Sequence, residues 1–170
     1  MRNSAEKFKY VTENYYLDDG IVYSKATHEV VPFTGAGAHG HRKTAIKVNG
    51  KRLALYAHDA VFMLHHNRPL PDGAFVVHHV DFNELNNAPG NLVLMSKRMH
   101  SIYHHYIAGD KCYCYRADAN HHLKPWYALV SLPIGRRIGR YFATESEAAA
   151  FVEYHRAPII KAFKQLGLPV

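Results

Sequence analysis

The chain has little sulfur chemistry to offer. Its two cysteines, Cys112 and Cys114, sit one residue apart. That spacing is badly placed for a disulfide, and no CxxC pair supplies thiolates for zinc, so both read as free thiols. Long apolar runs are missing as well. Runs such as Ala54-Leu55-Tyr56-Ala57 and Phe75-Val76-Val77 fall far short of a bilayer span. The opening stretch MRNSAEKFKY has no apolar segment of the secretory kind, so an intracellular protein with no membrane partner is expected. Acidic residues are in the minority, 14 against 21 Lys and Arg, giving a net charge of +7 and a pI near 9.4. A basic surplus points toward a polyanion, because neutralising phosphates with Lys and Arg releases counterions. Extended disorder is excluded: 48% of the 170 residues are hydrophobic and only 21% are charged, enough to bury a real core in one domain or two small ones.

What is present begins with turn signals. Asp19-Gly20 precedes Ile21-Val22-Tyr23, and Asn49-Gly50 separates two apolar runs; both dipeptides tolerate positive φ and predict tight hairpins. GAGAHGH, residues 35–41, reads as a loop without the strand and helix of a nucleotide-binding turn. AHDAVFMLHHN, residues 57–67, predicts a short helix with Val61, Leu64 and Phe62 inward, ended by NRPLPDG. Its histidines His58, His65 and His66 read as packed or solvated. No internal repeat or low-complexity tract is found.

The densest chemistry lies in FVVHHVDFNELNNAPGNLVLMSKRMHSIYHH, residues 75–105, with five of the chain's fourteen histidines and four asparagines. FVVHH predicts a strand and DFNELNNAPG a loop rich in turn formers. NLVLM opens a second strand, and Ser96 is placed to cap a helix that stops at Gly109. On that helix His100 and His104 fall one turn apart on one face, a spacing at which two imidazoles reach one metal ion.

His78-His79, Asn86-Asn87, Asn91-Leu92, His100 and His104 follow one another in an order and spacing that resemble the HNH, or ββα-metal, endonuclease motif of phage-type proteins. YAHDAVFMLHHNRPLPDG and DDGIVYSK are similar to the segments that lead into it, so the likeness runs over roughly residues 15 to 108. The resemblance implies a DNA endonuclease leaving 5′-phosphate and 3′-hydroxyl ends, with a phage or mobile-element homing endonuclease as the natural setting. It implies His79 as general base and Asn91 as the residue that pins the loop so that His79 faces the scissile phosphate. His78 and His100 match metal ligands, and His104 matches a third ligand of the family's His-rich branch. Phosphodiester cleavage needs these parts: a base near pH 7 and a cation for the charge growing on phosphate. One divalent ion is expected. Imidazoles suit Zn²⁺ or Ni²⁺, whereas the family allows Mg²⁺ or Mn²⁺. Asn83, Asn86 and Asn87 read as turn formers, and Asp81 as a loop cap with a supporting role left open.

Further on, KPWYALVSLPIGRRIGRYFATESEAAAFVEY resembles the three-stranded-sheet-plus-helix DNA-binding module of plant ethylene-response factors. Tyr115-Arg116, Trp126-Tyr127-Ala128, Gly139-Arg140-Tyr141-Phe142, Thr144-Glu145 and Ala148-Ala149 carry the likeness, which implies DNA contact by Arg116, Trp126, Arg136, Arg137 and Arg140. A core role for Trp126 stays open, because the alternation along 126–132 does not choose the buried face. Thr144 and Glu147 form a capping-box pattern, and Pro158 predicts a kink or break near Arg156.

The expected architecture is α+β: a ββα-metal nuclease module with a β-rich N-terminal extension over residues 1–109, then a small three-stranded sheet with one helix over 110–170. The expected partner is double-stranded DNA. One active site per chain cuts one strand at a time, so double-strand breaks call for a homodimer or two successive events. The competing readings are a DNA-binding protein without catalysis and a fold held by a structural metal.

Overall fold

The computed structural model describes residues 4–71, 73–116 and 123–170. The chain divides into two compact units, Met1–Lys97 and Arg98–Val170. Its elements are mixed α and β, as the sequence predicts.

In the first unit, helix α1 (Ser4–Asn14) leads into the hairpin β1 (Tyr15–Asp18) and β2 (Ile21–Ser24). Asp19 and Gly20 turn it with φ of 43° and 77°, and Asn49 and Gly50 repeat the pattern with 49° and 76°. Positive φ at both central residues is the condition for the two-residue hairpin turn whose twist matches its strands. The second turn joins β4 (Arg42–Val48) to β5 (Lys51–Tyr56), with the short β3 (Gly35–Ala36) pairing on the far edge of β4. Tyr56 passes directly into α2 (Ala57–His66), which ends at Asn67 in the left-handed conformation. Val61, Phe62 and Met63 of α2 are buried with Val11, Val22, Ile46, Leu55, Val77 and Leu92 in one apolar core. Each such side chain contributes on the order of 1.5–3 kcal/mol by leaving water.

The antiparallel pair β6 (Phe75–His79) and β7 (Leu92–Ser96) completes this unit. Its register sets His78 opposite Val93 and His79 opposite Leu92. The first strand has the boundaries the sequence predicts. The second is shifted by one residue, because Asn91 closes the short turn Pro89–Asn91 and Ser96, expected as a helix cap, is the last residue of the strand, with helix α3 (Lys97–Ile107) following at once.

In the second unit, β8 (Tyr113–Tyr115), β9 (Trp126–Ser131) and β10 (Arg137–Phe142) form an antiparallel sheet in the order β10-β9-β8. Part of the polar connector before β9, residues 117–122, lies outside the described residues. Helix α4 (Glu145–Gln165) begins with both halves of the capping box between Thr144 and Glu147. Ala128 and Val130 of β9 are buried against Ala148 and Val152 of α4. Tyr103 of α3 is fully buried and packs edge-on against Phe163 of α4 at 5.0 Å, with its hydroxyl donating to the Pro169 carbonyl at 3.1 Å. The Arg98 guanidinium donates to the carbonyls of Leu132 and Arg136, fastening the start of α3 to the β9–β10 turn.

One local expectation is overturned. Pro158 does not end the helix near Arg156, because α4 runs through it to Gln165. Proline removes one backbone donor and crowds the preceding turn. Here Ile159 and Phe163 are buried beyond it and Ala148 and Val152 before it, so tertiary burial on both sides holds one helix.

Candidate active site

Strand alternation sorts the two adjacent histidines. Successive side chains of β6 point to opposite faces, so His78 and His79 serve different environments although they are neighbours. Both are buried, at 5% and 4% exposure.

His79 lies on the face shared with Val77, whose side chain belongs to the core. Its Nε2 is 3.0 Å from the Asn87 Oδ1. The Asn87 amide nitrogen donates to the Leu85 carbonyl, which turns the amide oxygen toward the ring. An oxygen acceptor there fixes the proton on Nε2 and leaves Nδ1 with the lone pair a base requires. Asn87, which the sequence offers as a turn former, thus also orients the His79 imidazole.

The loop between β6 and β7 is held from within. Asn91 accepts from the Asp81 backbone N–H at 3.1 Å and donates to the Asp81 carboxylate and the Asn86 carbonyl, each at 2.8 Å. Its own carbonyl accepts from the Val80 N–H at 2.9 Å. The Asp81 carboxylate also accepts from the Asn83 backbone and from the Asn86 amide. The Asn86 amide, the Asn83 N–H and the Asn91 amide hold its carboxyl below the ordinary value. The loop's asparagines therefore spend their amides on the Asp81 carboxylate and on the loop backbone that follows His79.

On α3, the Nε2 atoms of His100 and His104 stand 3.2 Å apart. Burial, and then the neighbouring His104, push the His100 pKa down, which favours the neutral ring that ligates metals. His105, one position on, turns away and pairs with Asp110 at 3.1 Å.

Two further histidines stand beside His79, one that the sequence did not single out and one that it offered as packed or solvated. His41, from the loop before β4, and His58, in the first turn of α2, place their ring centroids 5.5 and 5.4 Å from His79 and 4.6 Å from each other. His58 is indeed a packed histidine, and it is packed on His79. Neither carries a local signal, since one lies in a glycine-rich loop and the other in an ordinary short helix.

Histidine clusters able to hold a divalent ion are thus present among the described residues, and the donors are imidazoles throughout. Such shells fit borderline ions of the zinc type and, with open positions filled by water or phosphate oxygen, harder ions as well.

The arginines expected to meet DNA are spread over the second unit. Arg137, Gly139 and Tyr141 pair with Ser131, Leu129 and Tyr127 on the face of the sheet away from α4. The Arg116 guanidinium lies 4.8 Å over the Tyr127 ring on the same face. Arg136 is exposed in the β9–β10 turn. Trp126 and Arg140 belong to the opposite register; Trp126, paired across the strands with Phe142 and edge-on to the rings of Tyr113 and Tyr115, packs against the cluster of buried Ala128 and Val130, and Arg140 lies 5.9 Å over the Phe142 ring.

Residues 55–102 match the model of the HNH endonuclease family. This segment runs from the end of β5 into α3 and contains His58, His78, His79, Asn87, Asn91 and His100, with His104 just beyond it. Over these residues the chain is similar to HNH endonucleases, and its enzyme class is that of DNA-cleaving hydrolases. A solved structure described as DNA binding and cleavage by the HNH homing endonuclease I-HmuI is similar at 20% identity. The likeness covers 89% of this chain and 84% of that one, with a TM-score of 0.42. No match is found among curated proteins. Among the described residues, no helix is long and apolar enough to cross a membrane.

Proposed function

We propose that this chain is a metal-dependent endonuclease that hydrolyses phosphodiester bonds of double-stranded DNA, with His79 as general base. The carrying observation is the His79–Asn87 contact inside a segment that matches the HNH family. It commits one ring nitrogen and leaves the other to take a proton from water. Asn91 keeps the chain immediately after His79 in one conformation, so that the free nitrogen points in one direction.

His78, His100 and His104 would hold one divalent ion. When bound, that ion supplies a Lewis acid for the phosphate and leaving oxygens, and Mg²⁺ or Mn²⁺ is the working choice with Zn²⁺ or Ni²⁺ accommodated by the imidazoles. The chain's own part is to take the proton, exclude competing geometries and position the phosphate. Products carry 5′-phosphate and 3′-hydroxyl ends. Arg116, Arg136 and Arg137 bind the duplex from the sheet of the second unit, with Arg140 at its margin and Trp126 supporting it from the core. The setting is that of a phage homing endonuclease acting inside the host cell.

The test is cleavage of supercoiled and linear DNA with each of the four ions, beside His79→Ala. Wild-type cleavage should need an ion, and the variant should fall by roughly 10²–10⁴-fold, the usual contribution of a positioned base. Metal-independent activity, or equal activity in the variant, would sink the assignment.

A further inference from the structure

His41, His58 and His79 each offer a ring nitrogen within 4.8 Å of the other two, and all three belong to the first unit. None of the steps above uses His41 or His58. We propose that these three histidines form a second metal site, specific for transition ions of the zinc, cobalt and nickel type, whose occupation takes the catalytic base out of service.

The chemistry of the donors sets the ion. Three neutral imidazoles with no oxygen ligand select borderline transition ions over Mg²⁺ or Mn²⁺, which prefer carboxylate, carbonyl and water. Three protein ligands with a fourth position left for solvent is the open tetrahedral arrangement common for zinc, in which ligand nitrogens stand about 3.4 Å from one another around ~2.1 Å bonds. The three ring nitrogens, all within 4.8 Å of one another, are compatible with that spacing. His58 has a carboxylate at its other nitrogen, with Nε2 3.4 Å from the Asp59 Oδ1. A carboxylate behind a ligating imidazole fixes its tautomer and raises its basicity. His58 and Asp59 are both buried, so this partner is shielded from water.

The third ligand and its surroundings are equally fixed. Gly37, whose N–H donates to the His41 carbonyl at 2.7 Å, admits no side chain: a Cβ there would lie 2.6 Å from the Tyr56 ring and 3.0 Å from that carbonyl. The His41 loop is thereby held close against Tyr56, the residue preceding α2. Inhibition follows from His79. Ligation through Nδ1 consumes the lone pair that serves as base, and ligation through Nε2 displaces Asn87. Either way the ring cannot accept the proton of water.

The inhibitory consequence rests on His79 being the base; metal binding at the site does not. The two are separated by using full-length protein carrying His100→Ala and His104→Ala, which removes the helix ligands. Titrated with Co²⁺ and followed by visible d–d absorption and calorimetry, this background should bind one ion. Adding His58→Gln or, separately, the loop change His41→Gln should weaken binding more than about 100-fold, and Asp59→Asn by about 10–100-fold. Two variants in different elements guard against one failing to fold, and the thermal midpoint without metal reports folding in each. In the second arm, Mg²⁺-supported cleavage is measured with graded Zn²⁺, and His41→Gln should raise the inhibitory Zn²⁺ concentration at least tenfold over the otherwise unaltered chain. A background that binds no Co²⁺, or that binds it unchanged after both His41→Gln and His58→Gln, overturns the site. An unchanged inhibitory concentration overturns the inhibitory role. If the unaltered chain cleaves no DNA with any ion, the endonuclease reading fails while the Co²⁺ titration still decides the site.

Discussion

In the proposed mechanism Asn87 selects which nitrogen of His79 is available, and Asn91 holds the loop that aims it. Replacing Asn87 with Leu leaves the ring without its acceptor and lets either tautomer form. Cleavage should drop by about tenfold or more, bounded by the 10²–10⁴ attributed to the base itself, with kcat falling and KM for DNA little changed. Single-turnover cleavage across a range of DNA concentrations separates the two. Asn91→Ala removes three hydrogen bonds at once in a partly exposed loop. It should cost about 1 kcal/mol in urea unfolding and a larger factor in cleavage, because the loop that aims His79 relaxes before the fold does. The order of these asparagines was legible in the sequence because Asx residues mark turns locally. Which amide faces which ring was not, because that depends on how the loop closes.

Among the elements, β6 was legible to the residue and β7 to within one, since a short apolar run bounded by turn formers leaves few alternatives. Their pleat then separates His78 from His79 without further instruction. Helix α4 was legible at its start, where the capping box is a local pattern, and Thr144→Ala should cost about 1 kcal/mol in chemical denaturation. Its middle was misread at Pro158 for a physical reason: proline propensity is local, whereas the burial of Ile159 and Phe163 is not. Pro158 is itself exposed. Pro158→Ala restores a backbone donor on a solvent face and should stabilise the unfolding transition by about 1–3 kcal/mol, with DNA binding unaltered. Phe163→Ala in the same helix removes the ring under Tyr103 and should cost about 3–5 kcal/mol.

At the scale of the molecule, charge is the property most directly read from composition. A net charge of +7 predicts DNA affinity that falls steeply with salt. Arg116→Ala and Arg137→Ala, on the sheet face away from α4, should each lower the slope of log K against log salt by about 1, measured by fluorescence anisotropy on duplex DNA. Trp126→Phe should leave that slope unchanged, because the indole is packed against the cluster of Ala128 and Val130 rather than turned to that face. A slope altered by Trp126→Phe as much as by the arginine changes would count against this division of the sheet.

The sequence by itself determined the strand–loop–strand–helix order, the paired hairpins, the basic balance and the line of histidines and asparagines that matches the HNH family. All of these rest on spacing, turn chemistry and hydrophobic period, which act over a few residues. Only the tertiary structure decided that Trp126 lies on the core side of its sheet, that α4 survives its proline, and that His41 and His58 stand beside His79. Those outcomes depend on which faces meet when distant segments pack, and burial is a property of the folded chain rather than of any stretch within it.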